Sequence, residues 1–218
     1  MKVLCCYTDM RPQTKAALDK YAAGYEAEYV GNLKYDLDNE YAYWREVKKR
    51  WTGEEDLVII EHDIEIDKDT LPGFAECPND WCTYAYPVID SCTWLAYGLG
   101  CARFSARLQR EITPDIIEQL YRACWSCEPK RMGTFTLIDV LNHGRTVKPV
   151  TPGCWRHLDL ELAGSCVSFG YTCCVHGYVR HHAAGLGDVG PCAIEDMPKM
   201  TVMAARQWDR GILPVMRA

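Results

Sequence analysis

Leu57-Val58-Ile59-Ile60-Glu61-His62-Asp63 is the stretch on which the fold turns. Four consecutive apolar residues, three of them β-branched, read as a strand buried on both faces, the kind found inside a parallel sheet. The run passes straight into carboxylates at i and i+2, which an extended chain places on one face, with His62 on the other as a packing residue. The carboxyl end of a parallel strand is where open α/β sheets bind ligands. Hard oxygen donors there suit magnesium or manganese bridging to a diphosphate and neutralising its charge. A plainer reading stands beside it. Glu65, Asp67 and Asp69 continue the alternation, as in a strand leaving the core for a solvated acidic turn.

Working outward, strands and helices alternate. Lys2 to Thr8 reads as a buried first strand, and Pro12 opens a helix whose Ala16, Ala17, Tyr21 and Ala22 face a core until Gly24 stops it. Tyr25 to Val30 is a second strand. Residues 40–51 are helical, with Tyr41, Trp44, Val47 and Trp51 at three- and four-residue spacing. The central strand runs from Asp56 to Ile66. Beyond it the pattern predicts a short helix from Pro72 to Cys77 and a strand from Trp81 to Tyr86. A glycine-punctuated segment from Leu95 to Cys101 then feeds a helix through Phe104 and Leu108. Thr113-Pro114-Asp115 starts another helix with an apolar stripe of Ile116, Ile117, Leu120, Tyr121 and Cys124. A late helix is expected over 155–163 and strand-like pieces over 165–179. The fold class this implies is α/β, a mostly parallel twisted sheet flanked by helices.

The 218 residues carry a formal charge of −6, which argues against broad electrostatic binding to nucleic acid. No apolar run approaches the ~20 residues that cross a bilayer. The opening residues hold too short an apolar stretch for a signal peptide, so no membrane partner and a cytoplasmic location are expected. No G-x-G-x-x-G turn follows the first strand, and neither a G-x-x-x-x-G-K-[ST] loop nor a G-x-S-x-G elbow occurs. Thirteen cysteines are an odd and large number. In a reducing compartment they read as buried small hydrophobes with free thiols. The alternative is zinc, with Cys124-Trp-Ser-Cys127 as one ligand pair and Cys173-Cys174 with His176 as an irregular second.

Strand–Glu61-His62-Asp63 resembles the acidic D-x-D-type motif of GT-A glycosyltransferases. Trp81-Cys-Thr-Tyr-Ala-Tyr86-Pro87, Gly98-Leu-Gly-Cys-Ala-Arg-Phe104-Ser105, Trp155-Arg-His-Leu-Asp159 and Val175-His176-Gly-Tyr-Val-Arg-His181 resemble, in order, stretches of the small glycosyltransferase-like proteins of actinobacterial phages. Together they span about residues 56–182. The departure is Glu61 in place of the first aspartate.

The resemblance implies one GT-A-like (Rossmann-like) domain over 1–218. Its nucleotide-binding half would cover about 1–100, its acceptor half about 101–197 and a tail 198–218. It implies transfer of a sugar from a nucleotide-sugar donor, a UDP-sugar, to an acceptor hydroxyl with Mn2+ or Mg2+. Asp63 would ligate the metal or contact the diphosphate and Glu61 would sit near the ribose or metal. His176 would complete the metal shell, with His181 the second candidate. Thr8 and Asp9 would lie at the nucleoside end and Arg11 could reach a phosphate, although a helix N-cap explains Asp9 as well. Gly98 and Gly100 would let the backbone approach the sugar, or simply form a tight corner. Trp155 and Asp159 share a helix face, which makes Asp159 the candidate general base and Glu161 the runner-up; an exposed carboxylate on a packed helix is the alternative. A modified DNA base or a virion protein would fit as acceptor. Two other classes stay open: a catalytically silent GT-A-like nucleotide- or glycan-binding module, and a divalent-metal phosphodiesterase, for which no second set of carboxylates assembles beyond residues 61–69.

Overall fold

All four side chains of β3 (Leu57–Ile60) are buried, and the sheet is built around it. The computed structural model describes residues 1–33, 41–87, 94–95, 98–118, 158–182 and 215–216. β1 (Lys2–Cys6) lies parallel to β3 on one side and to β2 (Glu26–Val30) on the other. Between β1 and β2 runs α1 (Pro12–Tyr21), with proline in its first turn, where its missing N–H costs nothing. Its buried stripe is Thr14, Ala17 and Leu18; of the expected face, Ala17 and Ala22 are buried and Tyr21 packs against the core, while Ala16 faces solvent. α2 (Tyr41–Arg50) precedes β3; Trp44, Val47 and, just past the helix, Trp51 are buried as their spacing predicts, while Tyr41 is only partly buried and Tyr43, outside the expected face, is buried.

The other neighbour of β3 corrects the sequence reading. Cys101 to Phe104 is a fully buried strand, β7, and not the entry to a helix. It pairs antiparallel with β3 and with β5 (Trp81–Pro87). Four residues buried on both faces show no alternation, so periodicity alone could not separate strand from helix. The helix that follows, α4 (Ala106–Glu111), starts one residue later. Ser105 caps it by accepting the Leu108 N–H at 3.0 Å. β8 (Cys174–Tyr178) lies parallel to β5 and β10 (Val215–Met216) parallel to β8, while β6 (Trp94–Leu95) adds antiparallel to β5. The order is β10-β8-β5-β7-β3-β1-β2. A mostly parallel sheet therefore stands, with β7 reversed inside it. β4 (Ile64–Glu65) and β9 (Arg180–His181) form a separate antiparallel ribbon.

Helices cover both faces. Leu4, Leu57, Ile59 and Phe104 pack against Trp44 and Val47 of α2, Leu108 of α4, and Leu158 and Leu162 of α5 (Leu158–Ser168). Val3, Cys5, Val58 and Ile60 pack against Leu18 of α1 and Leu71 and Phe74 of α3 (Thr70–Glu76). Burial on both sides is why β3 reads as an unbroken apolar run. α5 extends to Ser168, beyond the expected helix, and so takes up residues that looked strand-like. Residues 114–118 are helical with Ile117 buried; Leu120, Tyr121, Cys124, Cys127 and Trp155 lie outside the described residues.

Because β7 is reversed, it carries Arg103 to the amino ends of β3 and β5, opposite Val58 and Cys82. The side chain is 8 % exposed. Its Nε and Nη2 donate to Asp56 Oδ2 at 2.8 and 2.6 Å, and Nη1 donates to the carbonyls of Cys77 (3.2 Å) and Asn79 (2.9 Å) and to Cys82 Sγ (3.3 Å). A guanidinium is tolerated at such depth only with this many acceptors.

Candidate functional site

The carboxyl ends of β1, β3 and β5 meet one loop, one helix start and the β4–β9 ribbon. β3 stops at Ile60. The Glu61 N–H makes a last ladder bond to the Gly100 carbonyl (2.9 Å), and the chain then turns, with the Ile64 N–H donating to the Glu61 carbonyl (3.2 Å). The expected strand from Asp56 to Ile66 is thus two short strands with a turn between them. Glu61 and Asp63 do not share a strand face by alternation, and His62 does not point away: its Nε2 is 3.8 Å from Asp63 Oδ2. The cause lies in the neighbouring strand: β7 begins only at Cys101, opposite Ile60, and among the described residues its pairing with β3 goes no further than Gly100.

Asp63 is the buried member of that turn, its side chain 13 % exposed. Oδ2 lies 3.2 Å from Nε2 of His181, while Oδ1 is buried with no hydrogen-bond partner among the described residues. The histidine is held from its other side, where Nδ1 faces the Pro87 carbonyl. A carbonyl only accepts, so Nδ1 carries a hydrogen. In the neutral ring Nε2 would then turn a lone pair toward a carboxylate oxygen, which is repulsive. Two occupancies satisfy the pair: a second proton on Nε2, or a cation shared by the ring and the carboxylate. The pKa directions agree with the first. Burial pulls His181 down, but the hydrogen bond and charge of Asp63 and the Pro87 carbonyl raise it above the ordinary histidine value. Burial pushes Asp63 up, yet the hydrogen bond and charge of His181 and the nearby His62 leave it below the usual carboxylate value.

The ribbon is fastened around this pair. His182 donates its N–H to the Asp63 carbonyl at 2.7 Å, and its Nε2 lies 2.7 Å from Glu65 Oε2. Arg11 ties it to the first strand: its N–H donates to the His62 carbonyl (2.9 Å) and its Nε to the His182 carbonyl (3.2 Å). Arg11 is also the residue that precedes α1 as its N-cap, a role the sequence allowed for Asp9. Asp9 instead sits exposed, 3.6 Å from the Arg11 guanidinium, and Thr8 is exposed beside it.

Tyr86 stands at the centre. It is buried at the end of β5, accepts the Gly100 N–H on its hydroxyl (3.2 Å) and packs edge-on to His181. A Cβ on Gly100 would come within 2.6 Å of its ring, so glycine there admits the tyrosine. Burial pushes the Tyr86 phenol well above its ordinary value, and the charges of Glu61, Asp159 and Asp63 push it further. Of the sequence candidates, Gly100 touches this ring, while Glu61, Asp63 and Asp159 act on it through their charge; Gly98 is buried in the adjoining loop and Asp159 lies in the first turn of α5. Tyr86 itself was not singled out by the sequence; its place at a strand end, in the resembling stretch, was the available signal.

His176 lies in a different place. It is on β8, stacked on Tyr84 and edge-on to Phe74, and one of its nitrogens groups with the sulfurs of Cys77 and Cys174, all within 4.8 Å of one another. Among the described residues that is where three His, Cys, Asp or Glu ligand atoms close to this limit; Glu61, Asp63 and His181 do not. No described helix is long and apolar enough to cross a membrane.

No protein-family model matches the chain, and no curated protein matches it. Among solved structures, the chain is similar to A197 from STIV at 11 % identity and TM-score 0.38, over 52 % of this chain and 68 % of that one. It is similar also to a glycosyltransferase involved in the glycosylation of the major capsid of PBCV-1, at 12 % identity and TM-score 0.35, over 51 % of this chain and 63 % of that one.

Proposed function

We propose that the chain is a glycosyltransferase that takes a nucleotide-sugar donor, a UDP-sugar, at the carboxyl end of its sheet and transfers the sugar to an acceptor hydroxyl. The observation that carries the reading is Asp63: a carboxylate with one buried oxygen that has no partner among the described residues and the other oxygen against Nε2 of His181. A buried orphan acceptor of this kind costs about 1–3 kcal/mol and persists where a ligand satisfies it. The pair fits manganese or magnesium, with Asp63 and His181 as protein ligands and the donor diphosphate supplying further oxygens. His181 thus takes the role the family resemblance first assigned to His176. The cation, when bound, supplies charge neutralisation for the departing diphosphate.

The chain's own residues do the rest. Glu61, directly after β3, would contact the ribose or the metal. Tyr86 and the Gly98–Gly100 loop form a wall that excludes water from the sugar. Arg11, anchored to both His62 and His182, presents its guanidinium toward a phosphate at the mouth, with Thr8 and Asp9 outside it. Asp159 accepts the proton of the acceptor hydroxyl as the general base; the side chain of Glu161, the other candidate, is not among those described. A catalytically silent binding module is the second reading, favoured by the same pair taken as a plain imidazolium–carboxylate contact.

Thermal unfolding with ligands tests this. UDP or a UDP-sugar together with Mn2+ is expected to stabilise the protein more than either alone, by about 2.7 kcal/mol at ~100 times the dissociation constant. If neither UDP, GDP nor their sugars move the melting curve with metal present, the donor site is refuted. Binding without transfer or hydrolysis would select the silent module.

A further inference from the structure

The face of β5 and β8 beneath α3 holds a cluster that the donor site does not use. β5 and β8 are parallel with Cys82 opposite Cys174, so Cys82, Tyr84, Cys174 and His176 point to one face. α3 closes over them, with Phe74 against His176 and Cys77 just past its end. Gly73 permits the approach, since a Cβ there would meet the Tyr84 hydroxyl at 2.4 Å and His176 Nδ1 at 3.6 Å. A bulge sets the histidine, because His176 and Gly177 together stand opposite the single residue Tyr84. The result is two sulfurs and an imidazole nitrogen within 4.8 Å of one another.

We propose that Cys77, Cys174 and His176 hold a zinc ion, with Cys82, opposite Cys174 on β5, the fourth ligand drawn in on binding. Zinc–ligand bonds of ~2.0–2.3 Å give ligand-to-ligand edges of about 3.5–3.8 Å, so the observed spacing contracts onto the ion with small side-chain rotations. Sulfur and imidazole select zinc, while the oxygen-rich Asp63 site selects a hard cation. Outer partners of the sulfurs are already in place: Asn79 Nδ2 donates to Cys77 Sγ (3.5 Å) and Arg103 Nη1 to Cys82 Sγ (3.3 Å). Such donors orient thiolate ligands and offset the charge they gain on binding. All three cysteines are buried, as in closed structural sites rather than catalytic ones with an open position. The ion would pin the end of α3 to both strands, a link across sequence that packing alone must otherwise hold. The sequence had pointed to buried free thiols or, as the alternative, to zinc on Cys124 and Cys127 with Cys173, Cys174 and His176; Cys77, remote in the chain, was not named.

The test uses the full chain purified reducing and without chelator. Metal analysis is expected to find stoichiometric zinc, and cobalt substitution to give a thiolate-to-cobalt charge-transfer band. Cys77→Ser and Cys174→Ser are each expected to lose the zinc, while Cys166→Ala, in the opposite core, keeps it with unchanged circular dichroism. Zinc persisting in Cys77→Ser/Cys174→Ser would overturn the proposal, as would a Cys77–Cys174 disulfide in protein alkylated at lysis. Should the serine variants not fold, the wild-type protein decides: reduced chain that binds neither zinc nor cobalt through thiolates sinks the assignment.

Discussion

At the amino end of the sheet Arg103 spreads its donors over Asp56, Cys77, Asn79 and Cys82; at the carboxyl end Asp63 is largely covered, yet one of its oxygens has no donor among the described residues. Both are charges taken out of water, and the protein treats them in opposite ways. The arginine is saturated by backbone carbonyls, a carboxylate and a sulfur that the strand ends bring to it, which makes it part of the scaffold. The aspartate has His181, itself tied down by Pro87, and the more distant His62, both on Oδ2, and its Oδ1 has no partner among the described residues. A fully satisfied buried network rigidifies, and a partly satisfied one is costly unless something else completes it. On the proposed function, the difference separates an end that holds the molecule together from an end that would bind.

The sharpest way to break this contrast is Asp63→Asn, which keeps shape and removes charge. Transfer is expected to fall by at least about 10³-fold, the several kcal/mol that a charge-neutralising cation supplies, while unfolding in urea stays close to wild type. A folded Asp63→Asn protein with undiminished transfer would mean that the carboxyl end of β3 is not the active site. Arg103→Leu should do the reverse. Removing one member of a buried charge network costs about 3–5 kcal/mol, so the urea midpoint is expected to drop steeply. Whatever protein still folds should retain its response to UDP and Mn2+. Loss of ligand response with unchanged stability would invert the two roles.

The smallest effect sharpens the contrast through pH. His181 is raised above its ordinary 6.5, so its contribution is complete below that value and is lost as pH climbs through the raised one. Asp63 is lowered below 3.8, so its contribution is present above that value and lost as pH falls through the lower one. Between the two the pair is at full strength. Without metal, the melting temperature should therefore decline above neutral pH, and His181→Gln should remove that decline. Parallel pH profiles for the two proteins would show that the pair is not what titrates.

Much of this was legible along the chain, for reasons that can be located. Leu57 to Ile60 reads as a two-sided strand because it is one, and the α2 aromatics at three- and four-residue spacing mark their buried face. The turn at Glu61 was hidden because Glu61, Asp63 and Glu65 mimic an alternating strand. What breaks it is that β7 begins only at Cys101, a partner forty residues further on in sequence order and invisible to local pattern. β7 itself was missed since an arginine inside a buried strand makes sense only with Asp56, Asn79 and Cys77 around it. Asp63, Glu61, Gly100 and Asp159 were named from sequence; the structure puts Gly100 against Tyr86 and Asp63 against His181. The choice of His176 over His181 was not decidable from spacing: the bulge opposite Tyr84 and the pairing of β9 with β4 send the two histidines to different places.

The reversed strand has a consequence for the order in which the polypeptide can assemble. β1, β2 and β3 all lie within the first sixty residues and pair with one another, so that half of the sheet needs nothing made later. The flank of β3 facing away from β1 is different. Its backbone groups wait for Cys101 to Phe104, and β5, although synthesised earlier, cannot serve because β7 lies between them. A nascent chain emerging from the ribosome therefore carries an open edge of Leu57, Val58, Ile59 and Ile60 until residue 104 has been added, the kind of edge that invites pairing with a neighbouring chain.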